Sequence, residues 1–505
     1  MNIAELPRNE IERFGEHVSL IYQGQEYTNV QMRQSALKLA NALRDLGIQK
    51  GDRVIVQMPN CPEVLNSFQA VYALGAVVVP INYMVGDDET AYIYKDTGAT
   101  TIISNMLFYD KIQKCRQEAP TIKHLILTDK EIPEDTLSFH HLVEAQSADF
   151  DIVPADDNDL AALIYTAGTT GMPKGVMHTH HSLYINAQYQ HATVGLEPGI
   201  TAINVLPLCH SYGIANTNVG FLIGGGTVVI VEVDIDKIFA AIEKYKANSL
   251  AAVPTLYVYM LLHPDPHKYD LSSMKYWFSG SAPLTRDTWE QFKAKFGYEI
   301  TEGWGLTEAG ANNSANPING PKKVGSIGKP MKGTQVKIVN EQGAELPDEE
   351  EGEILMSGPM IMKGYWNKPA ETAEAIKDGW LYTGDIGYRD SDGYFYITER
   401  KKDLIIKGGE NIAPREVEEV IYTHPKVSEA AVIGIPDPTY GEEIKAFVVL
   451  NPGQEASAEE IIDHCTERIK RFKSPQRVEF LDALPKSLVG KILRKELRKR
   501  EKNRQ

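Results

Sequence analysis

A chain of 505 residues exceeds what one compact core supports and predicts roughly two to four structural units. Its composition, 43% apolar and 24% charged, is that of a globular enzyme rather than a disordered or fibrous chain. A net charge of −16 excludes a protein that coats nucleic acid, because most of the surface would repel a phosphate backbone; any phosphate ligand must meet locally concentrated positive charge.

In chain order, Met1 to Gly15 carries charge throughout and lacks the apolar core of a signal peptide. Thr28 to Leu46 and Glu63 to Leu74 have helical spacing, while Val54 to Val56, Ala76 to Val79, Thr101 to Ile103 and Leu125 to Leu127 read as buried strands. Such alternation predicts a parallel sheet with helices on its faces. The apolar run Leu160 to Ile164 predicts another strand, which ends in Tyr165-Thr-Ala-Gly-Thr-Thr-Gly-Met-Pro-Lys-Gly-Val176. Three glycines, three threonines and one lysine suit a polyanion: backbone N–H groups approach phosphate oxygens unobstructed, hydroxyls add neutral donors and Lys174 adds charge. The spacing is not that of a Walker A loop, since Lys174 follows proline and precedes glycine. A plain surface turn between a strand and a helix is the competing reading.

A second alternating set from Asp159 to Phe296 holds strands at Val228 to Val231 and Leu250 to Val253 and a helix from Asp236 to Tyr245. The most apolar long stretch, Val219 to Val233, is broken by Gly224-Gly225-Gly226 and falls short of a membrane span. Beyond Gly325 short strands, Gln335 to Val339 and Gly352 to Met356, predict a β-rich subdomain. The charged stretch Glu399 to Asp403 leads into an α/β piece with strands at Ala430 to Ile435 and Ala446 to Leu450, which places a domain boundary between residues 401 and 402. Positive charge concentrates again from Lys486 to Arg504. The four cysteines, Cys61, Cys115, Cys209 and Cys465, have no C-x-x-C spacing and predict a reducing compartment without disulfides or structural zinc. His178, His180 and His181 lack nearby cysteine or carboxylate partners and read as polar residues at a helix start.

Along with the Lys174 loop, six segments occur in a fixed order: Ser279-Gly-Ser-Ala-Pro-Leu284, Gly303-Trp-Gly-Leu-Thr-Glu308, Tyr382-Thr-Gly-Asp385, Arg400-Lys-Lys-Asp-Leu404, Gly408-Gly-Glu-Asn-Ile-Ala-Pro414 and Pro485-Lys-Ser-Leu-Val-Gly-Lys-Ile-Leu-Arg494. Together they resemble the adenylate-forming superfamily of acyl- and aryl-CoA synthetases, peptide-synthetase adenylation domains and luciferases. The resemblance extends from the first helices to Arg498. It implies an α/β fold: a large N-terminal domain of parallel sheets with flanking helices and a β-rich subdomain, then a small mobile α+β C-terminal domain.

The resemblance also implies roles. Thr169, Thr170 and Lys174, in a loop with Thr166 and Gly168, hold the β- and γ-phosphates of ATP. Glu308 binds Mg²⁺, a hard cation suited to carboxylate and phosphate oxygen, and Thr307 reaches the α-phosphate. Trp304, where the family usually has tyrosine, stacks on adenine between Gly303 and Gly305, and Gly280, Ser281, Ala282 and Pro283 wall the other side. Asp385 accepts from the ribose hydroxyls with Arg400 in support. Lys491 stabilises charge at the α-phosphorus in the first half-reaction, then leaves as the small domain swings about Lys402. Gly408 and Gly409 then line the pantetheine tunnel, and Arg471, Phe472 and Lys473 meet the CoA nucleotide. His210 lines the acid's carboxylate, Tyr212 joins it in the acyl pocket, and Gly305 leaves that pocket open where acetate-activating relatives carry tryptophan. The absence of glutamate at Ser281-Ala282 favours aliphatic or phenylpropanoid acids over benzoates, with a medium- or long-chain fatty acid preferred. Ala167 replaces a usual serine, and Cys209 replaces an aromatic residue and reads as pocket lining rather than nucleophile. Singly, these residues have plainer readings: a solvated loop carboxylate for Glu308, core residues for Trp304 and His210, an exposed lysine for Lys491.

The implied activity is that of a cytoplasmic, AMP-forming acid:CoA ligase that uses ATP, Mg²⁺ and coenzyme A on a small carboxylic acid, with no nucleic-acid partner and a homodimer left open. The rivals are an aryl- or phenylpropanoid-CoA ligase, an enzyme loading a carrier protein, a non-catalytic acyl-nucleotide binder and a light-emitting oxidase.

Overall fold

The β-branched runs become strands where both faces of a sheet are covered, and the amphipathic segments become the helices that cover them. The computed structural model describes residues 1–166, 172–486 and 492–502. Its chain divides into two units, one of Met1–Val324, Gly328–Gln335 and Ser357–Leu381, the other of Gly325–Ile327, Val336–Met356 and the chain from Tyr382 onward.

Among the described residues, the first unit holds two sheets. One has eight strands in the order Gly364–Tyr365, Lys174–Thr179, Leu160–Thr166, Val77–Pro80, Arg53–Gln57, Thr101–Ser104, His124–Leu127 and Leu137–Ser138. From Leu160–Thr166 outward to Leu137–Ser138 the pairings are parallel. The other has nine strands, with a parallel centre of Val18–Tyr22, Thr227–Ile230, Thr201–Asn204, Ser249–Ala252, Tyr276–Ser279 and Ile300–Trp304. Helices are started by local chemistry: Thr28 and Gln31 form a capping box at Asn29–Asp45, and Asp234 accepts from Lys237 N–H at the head of Ile235–Tyr245. Fully buried Trp277, Tyr257 and Phe292 meet edge to face beneath the second sheet.

Two expectations change. Lys174 opens a strand antiparallel to Leu160–Thr166, with Thr166 paired to Lys174, rather than leading to a helix. The helix starts later, at His180, where Thr179 caps it with Ser182. The segments at 160–179 join the first sheet instead of opening the second, and Val18–Tyr22 joins the second, parallel to Thr227–Ile230.

The strands Gln335–Val339, Gly352–Ser357, Trp380–Arg389 and Phe395–Arg400, most of whose residues belong to the second unit, pair in that order. A further sheet runs Glu410–Ile412, Ile405–Lys407, Gly441–Leu450, Val427–Asp437, with Arg477–Phe480 added parallel to Gly441–Leu450. Helices Pro414–Tyr422 and Ala458–Thr466 bury Val417, Ile421 and Ile461 against it.

Candidate active site

In the first unit, hairpin register determines where the lysine begins. Thr166 pairs with Lys174, and Tyr365 pairs with Val176 on the other side of the Lys174–Thr179 strand. Lys174 therefore lies beside Tyr365, its Nζ 4.8 Å from the ring centroid, a cation–π distance. The Tyr365 hydroxyl donates to Glu308 Oε1 at 3.0 Å. Burial, then the charge of Glu308, pushes that phenol well above its ordinary range, so it remains a donor. Residues 174, 308 and 365, remote in sequence, thus converge on one ring.

The turn carrying Thr307 and Glu308 is held from several sides. His178 donates from Nε2 to the Thr307 carbonyl at 2.6 Å, while its Nδ1 faces Ser182 Oγ at 3.1 Å. Since a carbonyl only accepts, this assigns the tautomer; burial holds the imidazole below its ordinary pKa and keeps it neutral. Ser211 Oγ lies 3.0 Å from Thr307 Oγ1, and Met362 N–H donates to the Glu308 carbonyl at 2.8 Å. Ser211 begins the helix Ser211–Ile223, and His210 caps it, accepting from Tyr212 N–H. The sequence placed His210 and Tyr212 near the acid; the helix puts their chain beside Thr307. Cys209 is buried, and burial pushes its thiol up to about 12, which makes it a poor nucleophile.

Gly303 and Trp304 end the strand Ile300–Trp304 and pair with Ala315 and Ser314. The neighbouring strand Tyr276–Ser279 delivers Gly280, Ser281, Ala282 and Pro283 alongside: a Cβ on Gly280 would lie 3.4 Å from the Gly303 carbonyl oxygen. Ser281 takes φ +68°, unusual for a side-chain-bearing residue. Gly305 has a reason of its own. A Cβ there would stand 1.3 Å from the Ala311 carbonyl oxygen and 3.0 Å from Asn312 N, so the backbone of 311–312 requires the glycine whatever the acyl pocket holds. Gly168, Thr169, Thr170 and Lys491 lie outside the described residues.

In the second unit, Asp385 and Arg400 face each other across antiparallel strands. Asp385 is 1% exposed, and Arg400 Nε lies 2.5 Å from Oδ1 and Nη2 3.3 Å from Oδ2. Lys402 follows in an exposed turn. Gly408 and Gly409 both take positive φ, and Gly408 abuts Phe472 and Tyr440, 3.6 and 3.5 Å from a notional Cβ. Arg471, Phe472 and Lys473 form one 3-10 turn, in which Lys473 is ion-paired with Glu416 at 2.7 Å. Lys407 Nζ lies 4.9 Å from the Phe472 ring centroid.

The description AMP-binding enzyme matches residues 8–366, and AMP-binding enzyme C-terminal domain matches residues 416–491. The chain belongs to the AMP-binding enzyme family. This AMP-binding enzyme is 38% identical over 518 residues to a long-chain-fatty-acid–CoA ligase of Bacillus subtilis, covering 97% of this chain and 92% of that protein. It is 34% identical to a feruloyl-CoA synthase of Amycolatopsis, covering 97% of each. An anthranilate CoA ligase in complex with anthranoyl-AMP superposes with TM-score 0.94 at 29% identity, over 100% of this chain and 98% of that one. ATP-bound MatB from Rhodopseudomonas palustris gives 0.91 at 30% identity, over 100% and 99%. Membership in the adenylate-forming superfamily and the mixed α/β architecture expected from the motifs are borne out. Sequence reasoning missed Tyr365, Ser211 and His178 as neighbours of the Thr307–Glu308 turn. The signal for Tyr365 was a Gly-Tyr-Trp run, which reads as core when met alone.

Proposed function

We propose that this chain activates a medium- or long-chain fatty acid. The reaction is that of an AMP-forming acid–CoA ligase. A carboxylate oxygen attacks the α-phosphorus of ATP, the bond from that phosphorus to the bridging oxygen breaks, and pyrophosphate leaves. The CoA thiolate then attacks the acyl carbon, the carbon–sulfur bond forms, and AMP departs with the electrons of the carbon–oxygen bond. The observation that carries the reading is the convergence of Lys174 and Glu308 on Tyr365, an ammonium on the ring and a carboxylate on the phenol, with the Glu371 carboxylate acting on the ammonium through space. Both charges remain available for a polyphosphate and its cation.

Each residue has a task in that reaction. Thr169, Thr170 and Lys174, with Thr166 and Gly168, hold the outer phosphates, and the Thr307 hydroxyl, set by Ser211, reaches the α-phosphate. Mg²⁺ fits the donors present. It takes one or two carboxylates and completes its shell with substrate phosphate and water, and the described residues offer Glu308 but no cluster of three or more ligating side chains. When bound it supplies charge neutralisation on the phosphates. Trp304 and Gly280 to Pro283 enclose adenine. Asp385 accepts from the ribose diol with its charge balanced by Arg400. His210 lines the acid's carboxylate. Lys491 neutralises charge at the α-phosphorus, and rotation about Lys402, the boundary of the two domains, brings Gly408, Gly409, Arg471 and Phe472 to CoA. Lys473, engaged by Glu416, contributes less charge there than the motif implies. The protein acts in the cytoplasm. The 34% identity to a feruloyl-CoA synthase supports a second reading, a phenylpropanoid acid.

The test of the division of labour is Lys491→Ala. Pyrophosphate exchange into ATP should fall about 10²–10³-fold, the cost of removing one donor from a developing oxyanion, while thioester formation from supplied acyl-AMP stays within a few-fold. Equal loss of both half-reactions would sink the assignment. An exchange screen from acetate to palmitate, with cinnamate and ferulate, decides the acid.

A further inference from the structure

We propose that Tyr365 is a positioning residue of the adenylation site, whose hydroxyl aims the Glu308 carboxylate at the nucleotide-bound cation and whose ring holds the Lys174 ammonium without neutralising it. This rests on the reading of Glu308 as the cation's carboxylate and Lys174 as a phosphate ligand. The backbone around Tyr365 stitches the two carriers together. Met362 N–H donates to the Glu308 carbonyl at 2.8 Å, Lys363 N–H to Met177 O at 2.9 Å and Trp366 N–H to Gly175 O at 2.8 Å. Tyr365 N–H is itself fixed by Thr372 Oγ1 at 2.9 Å. The side chain then makes two contacts of different chemistry, a hydrogen bond to Glu308 Oε1 at 3.0 Å and a face to Lys174 Nζ at 4.8 Å.

Each contact suits a charged ligand. A phenol engages one carboxylate oxygen and leaves the other for a cation, and it does so without contributing positive charge, so the carboxylate keeps its full attraction. An aromatic face holds the ammonium in place and, unlike a carboxylate partner, leaves its charge to a phosphate that binds on its other side. Had an arginine or aspartate stood at 365, one of the two charges would already be cancelled. A tyrosine needed only to fill the core would be replaceable by phenylalanine, and this separates the proposal from a packing role.

The test uses the full chain as Tyr365→Phe, Tyr365→Leu and, for reference, Glu308→Gln. Mn²⁺, whose free signal is read by electron paramagnetic resonance, is titrated into each protein saturated with the α,β-methylene analogue of ATP. Binding of the analogue without metal is measured by calorimetry. Tyr365→Phe should weaken Mn²⁺ binding about tenfold, the usual scale for a partner behind a metal ligand, and leave metal-free analogue binding within about twofold. Tyr365→Leu should in addition weaken metal-free binding several-fold, because Lys174 loses its ring. If Tyr365→Phe binds Mn²⁺ like the wild type while Glu308→Gln does not, the positioning role is wrong. If Glu308→Gln also binds like the wild type, the underlying assignment of Glu308 fails. Equal weakening with and without metal in Tyr365→Phe reports general damage and likewise overturns the proposal.

Discussion

The carboxylates Glu308 and Asp385 are handled in opposite ways. Asp385, 1% exposed, is matched by Arg400 across a strand pair, so its charge is balanced within the protein. Glu308 is held by a neutral phenol and a backbone N–H to its carbonyl, with Lys174 parked on the same ring. The difference follows from what each is proposed to meet. A ribose diol is neutral and cannot compensate a buried carboxylate, so the protein must do so permanently. A metal–polyphosphate brings both signs of charge, and a site already neutralised would have less affinity for it.

The comparison breaks first at Asp385. Asp385→Ala leaves Arg400 without its carboxylate and should destabilise the folded chain by roughly 3 kcal/mol, read by urea unfolding; a loss below about 1 kcal/mol would mean the pair is dispensable. Gly305→Ala tests how tightly the first region is built. A methyl 1.3 Å from the Ala311 carbonyl should cost about 3 kcal/mol, and an unchanged melting point with a shifted chain-length preference would return Gly305 to the role of pocket opener. Acid addresses the same region. Burial lowers the pKa of His180 to about 4 and holds His178 below its ordinary 6.5. The fold keeps both neutral while the unfolded chain takes up protons, so stability is complete above about pH 6.5 and declines as pH falls toward 4, His180 alone accounting for roughly 2 kcal/mol between pH 6.5 and 5 and His178 adding to the loss in the same direction. His180→Gln should flatten that decline in unfolding measurements. The smallest effect sharpens the contrast with Asp385: Lys174→Ala should leave stability within about 0.5 kcal/mol yet raise the KM for ATP about tenfold, the loss expected of one charge-assisted contact.

Local features were legible in the chain, and long-range ones were not. Val54 to Val56, Thr101 to Ile103 and Leu125 to Leu127 announce themselves by β-branched residues between turn signals, and their strands sit within a residue or two of those runs. Which sheet a strand joins depends on partners hundreds of residues away: Val18–Tyr22 pairs with Thr227–Ile230, and nothing local encodes it. The same distinction divides the site. Lys174, Glu308, Asp385 and Arg400 stand in motifs whose residue types declare their chemistry. Tyr365 gains its place only when the strand Gly364–Tyr365 lies beside Lys174–Thr179, and His178 only when the Thr307 turn arrives above it.

The tight fit of residue 305 against 311–312 also constrains how such an enzyme changes diet. A bulky side chain at 305 has no room until that neighbouring backbone has shifted. Were residue 305 to border the acyl pocket, as its motif implies, a lineage narrowing its range toward short acids would have to remodel 311–312 before a side chain at 305 could fill that pocket, an order of events that ancestral reconstructions can look for.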